Sequence, residues 1–269
     1  MNQQPGASRE STAEQTLRGG GLPRSSVARL FALLDGFSSD QHVMTLRELA
    51  RAADLPKSTT HRLASTLVEL GGLIRVEDGY RLGARMYAIG ARSWEATLHH
   101  AAVQHMEQLH RLSRQTLHLA VLTGPDVLYL EKIAAKGSPP SPASVAGRLP
   151  AHLTGVGKVL MAFSDPDSVE LILSRPLQRR TNHSMTEPAV LRRDLATIRR
   201  TGIAQDNAEA ADNLRCLAVP IWHVGRAAAA LSLSFPSSVT SFQALENSLR
   251  AAATAISRSL DAQSRQIVA

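Results

Sequence analysis

The chain has 269 residues, longer than one ordinary domain, and its hydrophobic share of 43 % is enough for a core in each half, so two domains and a connector are expected. No apolar run approaches the ~20 residues of a bilayer span. The single cysteine, Cys216, excludes an intrachain disulfide framework and a multi-cysteine zinc site, and suits a reducing cytoplasm.

Residues 1–22 are rich in Gln, Ser, Gly and Thr and lack the apolar centre of a secretory signal, so they read as a disordered tail. Behind Ser25 and Ser26, the positions Val27, Leu30, Phe31 and Leu34 recur at helical spacing and predict a first amphipathic helix with a serine cap. Thr45-Leu46-Arg47-Glu48 is a T-x-x-E capping box, in which threonine oxygen and glutamate carboxylate each satisfy a free N–H at the start of a second helix. Asp54, Leu55 and Pro56 break that helix. A third is expected from about Lys57 to Leu70, ended by Gly71 and Gly72.

A short helix, a tight turn and a third helix are the parts that lay a recognition helix in the DNA major groove. Leu63, Leu67 and Leu70 form the inward stripe of the third helix, while its start, Lys57, Ser58, Thr59, Thr60, His61 and Arg62, consists of hydrogen-bonding residues. Arg62 can pair bidentately with guanine, and the hydroxyls suit phosphates or base edges. Polar first turns are also common on helices that touch nothing, so the next residues decide. Leu73 to Val76 and Tyr80 to Leu82 flank Glu77-Asp78-Gly79, and Asp-Gly between short β runs signals a hairpin. Three helices and a hairpin make a winged helix-turn-helix over residues 23–83, with Arg75 and Arg81 on the wing near the phosphate backbone. A winged helix used only for protein contacts is the alternative.

The net charge of +7 also points to nucleic acid, through release of counterions from phosphates. Placement matters more than the total, however. Carboxylates nearly balance Lys and Arg from Ser25 to Glu95, and much of the surplus sits in Arg179, Arg180, Arg192, Arg193, Arg199 and Arg200.

Further on, Met86, Ile89, Trp94, Leu98, Ala102, Met106 and Leu109 recur at helical spacing in a stretch without proline. One long linker helix over 84–115, kinked near Gly90, is expected. Leu117 to Leu122 and Val127 to Ile133 flank Gly124-Pro125-Asp126 and predict a second hairpin. Helices and strands follow, giving an α+β domain over 116–262 and a short tail over 263–269. Within it, Thr154 can cap a helix beginning among Gly155, Val156 and Gly157, whose free N–H groups favour an anion. A helix opened by Glu187 and Pro188 and stopped by Gly202 is explained by local physics; the polar turn from Gln205 to Asn213 before the apolar run Cys216 to Ile221 is not.

The segments LPKSTTHRLASTLVELGGL and RRTNHSMTEPAVLRRDLATIRRTGIAQDNAEAADNLRCLAVP resemble the IclR family of bacterial transcriptional regulators, and the likeness runs from Ser25 to about Leu260. The resemblance implies a DNA-binding domain, a linker helix that helps dimerisation, and a C-terminal effector-binding domain related to the GAF fold. It implies dimers or tetramers on operator DNA. Carried over by position, it places an effector among Gly155 and Val156 as backbone donors, Asp206 on an acidic loop, Cys216 on one strand, and Ser232 and Ser234 on another. The chain departs from the family where paired acids give way to Ala208 and Glu209, and where glycine gives way to Asn213, a residue that tolerates a left-handed backbone.

An enzyme is not expected, since no G-x-S-x-G elbow, H-E-x-x-H pair, Walker loop or dinucleotide fingerprint occurs. His99 and His100 read as solvated on the linker helix. His152 and Cys216 alone do not make a metal site. The expectation is therefore a cytoplasmic, ligand-responsive regulator without cofactor or metal, which binds pseudo-palindromic operator DNA and responds to a small organic acid, a carboxylic acid by preference. Repression of a catabolic operon is the expected mode, because occluding a promoter needs no polymerase contact; an activator, or an interaction module that never binds DNA specifically, are the alternatives.

Overall fold

The structure, a computed structural model, describes residues 25–38, 41–239 and 242–268, with side chains as far as Gln263. The tail expected over 1–22 lies outside them. The chain divides into two compact units between Ser93 and Trp94. No helix among the described residues is long and apolar enough to cross a membrane.

The first unit holds α1 (Ser26–Leu34), α2 (Leu46–Ala52), α3 (Lys57–Glu69), a ribbon of β1 (Leu73–Val76) and β2 (Gly79–Leu82), and α4 (Ala84–Gly90). The Ser25 hydroxyl caps α1 by accepting from the Ala28 N–H at 3.0 Å. The capping box forms as expected: the Thr45 N–H donates to Glu48 Oε2 at 2.8 Å and the Glu48 N–H to Thr45 Oγ1 at 3.2 Å. Leu33, Leu49, Leu63, Leu67 and Leu73 meet beneath these helices with Tyr80 of the ribbon. Val76 pairs with Gly79 across a tight turn. Gly79 has φ +147, and a Cβ there would overlap the Met44 carbonyl. Met44 and Tyr80 exchange backbone hydrogen bonds at 2.9 Å, so the ribbon is pinned to the segment that leads into α2.

The expected single linker helix is two helices. α4 ends at Gly90, and α5 (Trp94–Ser113) begins after Ala91–Ser93. Gly90 is a weak helix former, and Ser93 ahead of Glu95 supplies a new helix start, so the break has a local cause. α4 buries none of its residues, whereas α5 buries Leu98, Ala101, Ala102, Met106 and Leu109 in the second unit. α5 is thus part of that unit's core.

The second unit is a six-stranded antiparallel sheet in the order β5-β4-β3-β8-β7-β6. Its strands are β3 (Thr116–Thr123), β4 (Asp126–Ile133), β5 (Arg148–Pro150), β6 (Ala204–Asn207), β7 (Leu214–His223) and β8 (Arg226–Pro236). One face carries α5 and α9 (Gln243–Val268); the other carries α6 (Gly155–Ala162), α7 (Pro166–Leu173) and α8 (Pro188–Thr201). The tail expected over 263–269 is helical as far as Val268, continuing α9.

Alternation along the strands decides what each face holds. Leu117, Leu119, Leu217, Val219, Leu231, Leu233 and Phe235 pack against α5 and α9. The intervening residues are small or polar: Ala218 and Ala230 meet α6, flanked by Cys216, Ser232 and Ser234. Large side chains fill one interface, and small ones leave room in the other.

Candidate nucleic-acid interface and ligand cavity

The start of α3 separates into two faces. Lys57, Ser58, His61 and Arg62 are exposed and Thr59 is half-buried, so these residues are presented on the outer side of the helix. Thr60 is not. It is fully buried on the stripe of Leu63, Ala64 and Leu67, and its hydroxyl donates to the Pro56 carbonyl at 3.1 Å. The expectation of a DNA contact from Thr60 is corrected accordingly: three and four residues before Leu63 and Ala64, a helix turns the side chain inward. The same periodicity adds the half-buried Ser65 to the outer face, one turn beyond Arg62.

Arg75 and Arg81 are both exposed on the ribbon. Arg75 is paired with Tyr80, and its guanidinium lies 6.0 Å from the Tyr80 ring centroid; Arg81 is paired with Ile74. Adjacent pairs project to opposite faces of a ribbon, so the two arginines leave the wing in different directions.

In the second unit all six residues expected at the effector site line one cavity, together with His118, Tyr129, Ser141, Pro142, Ala143, Leu149, Thr154, Ala210 and Leu214. The strand register explains the convergence. Asp206 lies on strand β6 and not, as expected, on a loop: it pairs with Cys216, Cys216 with Ser234, and Ser234 with Thr116, forming one row across four strands; Ala218, Ser232 and His118 form the next. Both rows face α6. Thr154 caps that helix by accepting from the Gly157 N–H at 3.0 Å. The N–H groups of Gly155 and Val156 thereby remain, without an acceptor among the described residues, at the positive end of the helix. Gly157 has a packing role, because a Cβ there would overlap the Ala151 backbone. The cavity measures about 20 Å³, room for roughly one water.

Its electrostatics are set by burial. Desolvation, then the nearby Glu209, raises the Asp206 carboxyl to about 7. Desolvation, then Asp206, pushes the Cys216 thiol up to about 12, and desolvation pulls the His118 imidazole down to about 3. The cavity floor is therefore close to neutral, with Asp206 poised to hold or release a proton.

The polar turn that local physics left unexplained is locked from several sides. Lys158, the one charged residue of α6, is fully buried, and its Nζ donates to Glu209 Oε1 at 2.7 Å and to the Gln205 carbonyl at 2.6 Å. Asp194 Oδ2 of α8 lies 3.1 Å from the same ammonium without a hydrogen bond to it, so it contributes as a charge. Burial pulls the Lys158 pKa down, but Glu209 and Asp194 outweigh it and hold it above its ordinary value. The Glu209 N–H donates to Asp206 Oδ1 at 2.8 Å, the Thr181 hydroxyl to the Ala208 carbonyl at 2.7 Å, and the Ser184 hydroxyl to the Glu209 carbonyl at 2.8 Å. Ala208 and Asn213 both adopt left-handed backbones, φ +63 and +61, so asparagine does preserve the turn at 213.

Two further histidines are engaged by neighbours. His99 is not merely solvated, since its Nε2 lies 2.7 Å from Glu131 Oε2. His152 is engaged with the Gln178 carbonyl at 3.0 Å and is not among the residues lining the cavity that Cys216 lines. Lys158 and His118 escaped the sequence reading, though a lone lysine within the apolar GVGKVLMA was a visible signal.

Comparison with known proteins matches both units. Residues 26–76 match the IclR helix-turn-helix domain, and residues 94–258 the bacterial transcriptional regulator IclR C-terminal family. The chain is 33 % identical over 248 residues to the HTH-type transcriptional regulator XynR of Escherichia coli K12, covering 87 % of this chain and 96 % of that one. It is 32 % identical to the transcriptional repressor IclR of the same organism, over 78 % of this chain and 80 % of that one. Among solved structures, an IclR homolog from Microbacterium hydrocarbonoxydans complexed with 4-hydroxybenzoate superposes with a TM-score of 0.83 at 36 % identity, covering 88 % of this chain and all of the other. These matches span a DNA-binding unit and a ligand-binding unit of regulators, not of enzymes, and the chain belongs to the IclR family of bacterial transcriptional regulators.

Proposed function

We propose that the protein is a cytoplasmic repressor of a catabolic operon that binds a pseudo-palindromic operator as a dimer or tetramer and is controlled by a small carboxylic acid. The observation that carries the ligand reading is the cavity, where the free N–H groups of Gly155 and Val156 face a row of Asp206, Cys216 and Ser234. The carboxylate is held by those N–H groups and by the serine hydroxyls, with Asp206 protonated beside it and the body of the acid against Val156, Leu149 and Ala143. The Microbacterium relative's 4-hydroxybenzoate supports an aromatic acid as the first candidate. The cavity, about 20 Å³ in this arrangement, has to widen to admit an acid of that size.

DNA is contacted by Lys57, Ser58, Thr59, His61, Arg62 and Ser65 of α3, with Arg75 and Arg81 reaching the backbone from the wing. Dimerisation through α4 is supported by its exposed Tyr87 and Ile89, large apolar side chains on a helix that buries nothing. Ligand binding shifts the balance between DNA-competent and DNA-incompetent arrangements of the dimer.

Selection of bound sequences from a random duplex pool at physiological salt tests this reading. A recurrent inverted repeat is the expected result. Enrichment of no sequence, with weak binding that disappears as salt rises, would instead identify an interaction module.

A further inference from the structure

His118 stands apart from the other polar residues of the cavity. It is 3 % exposed and lines the cavity, yet its buried Nε2 has no hydrogen-bond partner among the described residues. Buried ring nitrogens are ordinarily bonded, and leaving one unpaired costs stability, so a histidine kept only for its edge-type packing with Tyr129 is a poor choice there.

Its place in the sheet says what it can reach. The start of α6 sits over β7, where a Cβ on Gly155 would lie 3.3 Å from both Cys216 Sγ and the Ala218 Cβ. His118 is on β3, in the same row as Ala218 but across the intervening strand β8. Two strand spacings amount to ~10 Å between backbones. The imidazole and the helix N-terminus therefore bound opposite ends of one cavity. Burial also keeps the ring neutral, down to about 3, so it offers no cation to a second carboxylate. A neutral imidazole complements a neutral group that both donates and accepts, which is the description of a hydroxyl.

We propose that His118 is a specificity-determining residue that hydrogen-bonds a hydroxyl at the far end of an acid whose carboxylate lies on the α6 N-terminus. The effector is thus a hydroxy acid, recognised at both ends. The proposal rests on reading the cavity as an acid-binding site.

Calorimetric titration of the full-length protein with 4-hydroxybenzoate and with benzoate tests it, alongside His118→Leu and His118→Gln and the thermal midpoint of each ligand-free protein. The wild type is expected to favour the hydroxy acid at least tenfold, because a buried polar group left unpaired by the other acid discriminates strongly. His118→Leu is expected to bind both acids with the affinity that the wild type has for benzoate, and to melt no lower than the wild type. His118→Gln retains a hydrogen-bonding side chain and is expected to recover part of the preference. Equal wild-type affinity for the two acids, or a preference that survives His118→Leu, overturns the assignment of His118 while leaving the acid site standing. Equal loss of both acids in His118→Leu, with a lowered midpoint, also overturns it by assigning the residue a structural role. Failure of the wild type to bind either acid overturns the acid-site reading and this proposal together.

Discussion

Lys158 Nζ lies 2.7 Å from Glu209 Oε1, and both side chains are almost wholly buried. The pair joins α6, which presents the Gly155 and Val156 N–H groups, to the turn after β6, the strand that carries Asp206. Lys158→Met is expected to destabilise the second unit by about 3–5 kcal/mol, since removing one partner strands the other charge in the interior. Denaturant unfolding measures the loss. Lys158→Met combined with Glu209→Leu is expected to recover much of it, because the orphaned carboxylate is then gone. A double variant no more stable than Lys158→Met alone contradicts the ion-pair account.

Asp206 gives the site a pH dependence with a definite sign. Its carboxyl titrates near 3.8 in an unfolded chain and at about 7 in the fold, so the folded state favours the protonated form. The native state loses stability relative to the unfolded chain as pH rises from about 4 to 7, and the loss is complete above the folded value. Asp206→Asn, which keeps an acceptor for the Glu209 N–H, is expected to match the wild type near pH 4 and to exceed it in stability above pH 7. The ligand follows the same logic. A bound carboxylate needs Asp206 protonated, so its affinity is expected to fall by up to about tenfold per pH unit above pH 7 in the wild type and to stay flat in Asp206→Asn. Affinity that rises with pH across that range contradicts the site geometry.

The two faces of α3 make opposite expectations for neighbouring residues. Arg62→Ala is expected to erase operator preference while changing stability by no more than about 0.5 kcal/mol, the ordinary range for an exposed site. Thr60→Val is expected to keep the preference and cost about 1 kcal/mol through its lost bond to the Pro56 carbonyl. Competition binding against a scrambled duplex, paired with unfolding curves, separates the two. Full selectivity in Arg62→Ala removes α3 as the reading helix.

What the sequence disclosed and what it concealed follow from the range of the interactions. The Thr45–Glu48 box is local, spanning one helical turn, and formed as read. Thr60 carries a hydroxyl suited to DNA, but its phase on the helix, shared with Leu63 and Leu67, turns it inward. The break between α4 and α5 was blurred because apolar residues continue at helical spacing across Gly90 and Ser93. His118 was hidden in the apolar run from Leu117 to Leu122, where the face a residue occupies depends on Ser232, far along the chain. Lys158 and Glu209 are distant in sequence, and nothing local to either says that they meet. The residues expected at the effector site line one cavity, but the reason they do, two adjacent rows of the sheet beneath the start of α6, is visible only in the register.

Control of DNA binding by an acid in the cavity is tested most directly by the operator affinity of the full-length protein against a series of small carboxylic acids, 4-hydroxybenzoate and benzoate included, repeated with Ser234→Ala. At least one acid is expected to change wild-type operator affinity by tenfold or more, while Ser234→Ala binds the ligand-free operator as tightly as the wild type and requires far more acid for the same change. An acid response that Ser234→Ala leaves untouched, or operator affinity indifferent to every acid, contradicts it.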